Sequence, residues 1–193
     1  LQRISLNSGL DGNPQATGNI GGSLDLKLRR IGFGNRPSSE YHLSTGYESN
    51  GNIQVYGTDA QFSDSHFYTN FGIFFRHADN YKAGDNETVA FSQFQKMNTY
   101  LNLGFQPSKN HIFEATFIYD LATNVGYPAL NMDVKKAEGI IGAVTYRHES
   151  MEGFFNRWET KLYTNRIVHI MDDTKRPNVE IHMNMPGRSH TSG

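Results

Sequence analysis

Phe67-Tyr68-Thr69-Asn70-Phe71-Gly72-Ile73-Phe74-Phe75-Arg76 decides the fold. Phe67, Thr69, Phe71, Ile73 and Phe75 fall on one face of an extended chain. His66, Tyr68, Asn70, Gly72 and Arg76 fall on the other, with Phe74 the exception. Side chains alternate across a strand, so a period of two makes one oily and one wet face. The rhythm returns in Met97, Thr99, Leu101, Leu103 and Phe105 against Asn98, Tyr100, Asn102 and Gly104. It recurs in Phe113, Ala115, Phe117 and Tyr119 against Glu114, Thr116 and Asp120. Tyr41, Leu43, Thr45 and Tyr47 open the series, and Trp158, Thr160 and Leu162 continue it.

The pattern predicts seven strands, at 40–48, 51–62, 65–77, 88–106, 111–121, 139–148 and 156–169. Most are about twice the usual globular length of roughly 5–6 residues. They suit tilted membrane spans of about 10 residues with extensions beyond the bilayer. The expected fold is all-β: an antiparallel transmembrane β-barrel, present here as a partial, open curved sheet completed by segments outside this chain. A soluble sandwich or up-and-down barrel with a ligand pocket is the competing architecture.

Composition narrows the field. No run of about 18 apolar residues occurs, so no transmembrane helix is expected. A mean hydropathy of -0.58 does not oppose a barrel, because alternating strands and wet loops average to polar. The net charge is -1, with scattered Lys and Arg, and nothing favours nucleic acid. The absence of cysteine excludes a disulfide framework, thiolate metal site or cysteine nucleophile. Aromatics at 12%, mostly Phe and Tyr, suit strands and interfacial girdles.

The connections give an orientation. Ser63-Asp64 and 107–110 are tight, 78–87 is longer, 122–138 is long and 149–155 intermediate. Everything after His169 reads as a long segment that does not return to a strand. Apart from a short first loop at Asn50-Gly51, short and long alternate. In an outer-membrane barrel the long loops face outside, which puts 122–138 and 170–193 on one external side.

Residues 1–30 differ from the rest. Residues 1–6 read as a short strand. Gly9, Gly12, Gly18, Gly21 and Gly22 punctuate the next stretch, with Asn13-Pro14 a turn signal. Residues 23–30 then alternate Leu24, Leu26 and Leu28 against Asp25, Lys27 and Arg29. Residues 31–39, with Gly32, Gly34 and Pro37, read as a linker.

Arg3-Ile4-Ser5-Leu6 and Gly18-Asn19-Ile20-Gly21-Gly22-Ser23-Leu24-Asp25-Leu26 resemble the closing stretch of the plug domain of TonB-dependent outer-membrane receptors. The resemblance implies that 1–30 is the end of a plug, 31–39 a linker, and 40–193 the first strands and external loops of the barrel. Tyr127-Pro128-Ala129-Leu130-Asn131-Met132-Asp133 resembles a motif of a copper-linked subgroup. The segment His169 to Pro177, followed by His182-Met183-Asn184-Met185-Pro186-Gly187, is similar to an external loop of that subgroup. The family implies active uptake of a scarce solute, a metal ion, metal chelate, siderophore or haem, across the bacterial outer membrane. It also implies two partners, outer-membrane lipid and the TonB energy-coupling complex, the latter reached through a plug region outside this chain. No resident cofactor is implied; copper or an iron complex would be cargo.

The chemistry of the late residues agrees with a soft metal. Met132, Met151, Met171, Met183 and Met185 are five of the six methionines. Thioethers suit Cu(I), and imidazole suits copper, zinc or iron. The candidate ligands are His182, Met183, Met185, Met132, His169 and Met171. In an extended loop Met183 and Met185 share a side and His182 points away, so a tight turn is needed to bring all three to one ion. Methionines also fill gaps where loops fold, the expectation for Met151. Asp172 and Asp173 with Asp133 offer oxygen ligands to a hard cation; capped turns and pairs with Lys175 or Arg176 are the simpler expectation. His42 and His66 are expected to face the lumen, and His111 to sit at a turn. No nucleophile elbow or phosphate loop is present, so no enzyme is expected. A passive porin and a soluble carbohydrate-binding β domain are the alternatives.

Overall fold

The computed structural model describes residues 3–9, 21–27, 31–149, 156–177 and 180–193. The chain divides into two units, Leu1–Ile31 and Gly32–Gly193. The first contains β1 (Arg3–Ser8) and β2 (Gly22–Lys27), an antiparallel pair in which Arg3 opposes Lys27 and Ser8 opposes Gly22. Gly12, Asn13-Pro14, Gly18, Leu28 and Met151 lie outside the described residues.

The second unit is one antiparallel sheet. Its strands are β3 (Ser38–Glu48), β4 (Ile53–Ser63), β5 (Phe67–Ala78), β6 (Phe94–Ser108), β7 (His111–Val125), β8 (Asp133–Glu149), β9 (Arg157–Asp172) and β10 (Asn184–Ser192). Each pairs with its neighbours in sequence, so the sheet is an open up-and-down meander with β3 and β10 at its edges. Among the described residues the one helical segment is a short 3-10 turn, Gly84–Asn86.

The register sorts the side chains into two faces. Phe67, Phe105, Phe113 and Tyr146 align across four strands, as do Phe71, Leu101 and Phe117. The opposite face aligns Asn70 with Asn102 and Thr116. Polar side chains there bond one another: Thr116 donates to Asn102 (3.0 Å) and the Tyr68 hydroxyl to Glu114 (2.5 Å). Arg147 meets Glu159 (3.1 Å) and Glu114 (3.7 Å). One face is thus suited to lipid and the other to a wet interior.

Phe74 breaks the alternation for a packing reason. It lies on the wet face directly across from Gly57, and a Cβ on Gly57 would sit 2.4 Å from its ring. Tyr100 covers Gly72 and Tyr68 covers Gly104 in the same way. These rings occupy the space a glycine side chain leaves open, so an aromatic on this face is accommodated rather than misplaced. Tyr68 is 1% exposed.

The apolar band drifts across the register. Its lower edge is Tyr41 on β3, on the ladder row of Phe71, and Trp158 on β9, three pair-steps lower. That is six residues over six strands. At about 3.4 Å per residue and roughly 4.8 Å between strands, the strands tilt about 35° from the normal to the band. A barrel wall in a membrane tilts by about 35–45°. Aromatic rings mark the band's lower edge: Phe113 lies 6.5 Å from Phe105 and 4.9 Å from Tyr146, and His111 stacks on His148 at 4.3 Å.

Several sequence expectations change. Eight strands follow residue 37, not seven, because 184–192 returns as β10. β10 lies above the band, where lipid imposes no alternation, and is held by backbone pairing to β9. For the same reason β7 runs on to Val125 and β8 begins at Asp133, shrinking the expected loop 122–138 to 126–132. The loop before β6 extends to 93 instead of 87, because the Asn80 side chain accepts from the Ser92 and Gln93 N–H groups (2.9 and 3.1 Å). His66 is not in a strand; it sits in the β4–β5 turn, closed by Asp64, which accepts from the His66 and Phe67 N–H groups at 2.7 Å each.

Candidate functional site

Connections 49–52, 79–93, 126–132 and 173–183 gather at one end of the sheet; the tight turns 64–66 and 109–110 lie at the other. At the first end Arg176 locks three connections together. Its guanidinium pairs with Asp133, donates to the Tyr127 carbonyl (2.9 Å) and the Met132 carbonyl (3.4 Å), and lies 3.7 Å from the centre of the Phe91 ring. Both ionic side chains are buried, at 8% and 5% exposure. The Gly126 N–H donates to the Gln93 carbonyl (2.9 Å), and a Cβ there would sit 2.2 Å from the Phe91 carbonyl oxygen. Only glycine fits this crossing. Removing one partner of such a buried pair strands the other charge, at about 3–5 kcal/mol.

The three aspartates do not share one site. Asp133 is taken by Arg176. Asp172 accepts from Thr174 (3.0 Å) and meets Lys135 at 3.3 Å. Asp173 accepts from the Met183 N–H (2.9 Å) and meets the His182 Nδ1 at 3.2 Å. Burial alone would push the Asp173 carboxyl up; the Met183 N–H and His182 outweigh it and hold it below the ordinary 3.8. The expected pairing with Lys175 or Arg176 is corrected, since those cations reach the ends of other strands: Lys175 bonds Asn124 on β7 and Arg176 bonds Asp133 on β8. No group of three His, Asp or Glu able to hold a metal occurs among the described residues.

The candidate soft ligands divide. Met171 on β9 stands directly across from Met185 on β10, and His169, two residues along the same face, stands across from Gly187. All three lie on the wet face. Adjacent cross-strand Cβ atoms are about 4.5–5.5 Å apart, within the swing of a thioether on three rotatable bonds. His182 and Met183 sit instead in the 173–183 connection, tied to Asp173. Met132 lies in 126–132 with its carbonyl on Arg176. Sequence reasoning missed the clamp formed by Arg176 and Phe91, whose roles depend on contacts distant in the chain. It also missed a polar recess of about 580 Å³ lined by Asn50, Asn52, Asp79, Asn80, Lys82 and Asn86.

The architecture is that of a transmembrane β-barrel wall: antiparallel, helix-free among the described residues apart from the one 3-10 turn, apolar on one face and tilted across its own apolar band. No family model matches the chain and no curated protein matches it. Among solved structures it is similar to the copper transporter OprC, with a TM-score of 0.77 and 20% identity over 98% of this chain and 29% of that one. The chain thus spans under a third of that structure's length, and the likeness is one of fold.

Proposed function

We propose that this chain is a section of the wall of an outer-membrane active transporter of the TonB-dependent kind, and that its cargo is a soft metal ion, copper first. The observation that carries the reading is the placement of His169, Met171 and Met185 together on the wet face at the long-connection end. One imidazole and two thioethers form a donor set suited to Cu(I). The likeness to a structure named as a copper transporter supports the same cargo. In this reading residues 1–30 belong to a plug, and energy coupled through that plug shifts the solute from a tight to a loose state. Long connections locked by Arg176 hold the capture surface in shape.

Titration of the purified protein with Cu(I), read by competition with a chromogenic chelator, tests the site. Replacing Met171 and Met185 together by leucine keeps their bulk and raises the Kd at least about tenfold, the scale for perturbing a metal shell. An unchanged Kd removes the site. Copper uptake by cells that continues undiminished without the energy-coupling complex favours a passive porin instead.

A further inference from the structure

The outer face carries a second site that owes nothing to the metal chemistry. Register puts Lys136, Glu138, Arg166, Arg188 and His190 on the same face as the apolar band, just above it. Arg166 stands across from Ile140 and His190; Arg188 stands across from Val168, itself across from Glu138. Glu138 is committed to Lys136 (2.7 Å) and to the Tyr119 hydroxyl (3.3 Å), and His190 meets Thr164 at 3.1 Å. Arg166 and Arg188 are exposed and form no salt bridge among the described residues, though Arg166 stands near enough to Glu138 for the two charges to attract. Three cations against one carboxylate leave the patch positive.

Directly below it the apolar face is hollow. A groove of about 500 Å³ runs between Leu101, Phe117, Val144 and Leu162, over Ala115 and Gly142. The groove exists because these two positions have almost no side chain. Gly142 stands across from Thr164, and Arg166 is two residues further along β9, a rise of about 7 Å. A volume of this size lies in the usual range for a bound small molecule. Charged side chains beside lipid are expensive at the midplane and are retained near the interface.

The geometry points to a specific site for a phosphate-bearing membrane lipid, with one acyl chain in the Ala115–Gly142 groove and its headgroup phosphate on Arg166 and Arg188. Charge complementarity selects the anion, and the continuous groove beneath selects a lipid over a free phosphate. The inference rests on the wall's outward face alone and is independent of the cargo.

The test uses detergent-purified, delipidated protein and native mass spectrometry. Three probes are offered: phosphatidylglycerol, diacylglycerol without phosphate, and glycerol 3-phosphate without chains. Phosphatidylglycerol is retained and the other two are not. The double variant Arg166→Gln, Arg188→Gln loses about thirtyfold in affinity, at the strength of one basic residue near an anionic surface for each change. Arg166→Lys with Arg188→Lys keeps most of the binding, which shows that the fold survives. Gly142→Leu fills the groove and also lowers retention; a Cβ there meets only Thr164 at 3.5 Å, an ordinary contact. Equal retention by the glutamine variant, equal retention by Gly142→Leu, or glycerol 3-phosphate binding as tightly as the lipid overturns the site.

Discussion

β7 and β10 belong to one sheet and obey different rules. Along β7, Phe113, Ala115, Phe117, Tyr119 and Leu121 point to the apolar face without a break, and Glu114, Thr116 and Asp120 to the wet one. Along β10 the corresponding outward positions are Asn184, Pro186, Arg188, His190 and Ser192, and every residue is exposed. Both strands pair antiparallel, β10 with β9 without a break and β7 with β6 through one register shift between Phe105 and Ser108. The contrast teaches that alternation is written by lipid and pairing by the backbone. Where a strand leaves the bilayer, any outward residue is tolerated while the ladder continues.

The strongest challenge to this contrast comes from placing one residue, arginine, on the same outer face at two depths. Phe117→Arg puts the charge near the middle of the band and costs about 2–4 kcal/mol, read by denaturant unfolding in lipid vesicles. Asn184→Arg on β10 changes stability by less than about 0.5 kcal/mol, as for an exposed surface position. Equal costs at both sites would remove the band.

A smaller effect bears on how β10 is held. The Asp173 carboxyl titrates below its ordinary value, so its stabilising contacts are complete above about 3.8 and are lost as pH falls through the lower folded value. Hydrogen exchange in 182–192 therefore rises below pH 3.8 while the β6–β7 ladder stays protected, its peptide groups having no such carboxylate. Asp173→Asn removes most of this pH dependence. Exchange that rises equally in both regions would show that the Asp173 contacts do not anchor β10.

Legibility follows the same physics. Thr99, Leu101 and Leu103 declare their strand because each second residue touches lipid. Asp133, Lys135 and Lys136 read as loop because they stand above the band, although β8 starts there. Phe74 stays an exception in the sequence, and only pairing reveals Gly57 beneath it. His169 and Met171 are visible as metal-ligand types, but local sequence groups Met185 with His182 and Met183 in one loop. Strand pairing puts it beside Met171 instead. The clamp role of Arg176 carries no local signal, since its partner Asp133 is 43 residues away.

Local sequence alone is enough for the sheet, its two faces and the end where long connections gather. A period of two needs only alternation between near neighbours, and turn residues punctuate it. Which cations face lipid, which thioethers are neighbours, and which connections Arg176 binds into one cap were settled only by the tertiary structure. Those outcomes depend on register between strands, and a slip of one residue would send every side chain to the opposite face.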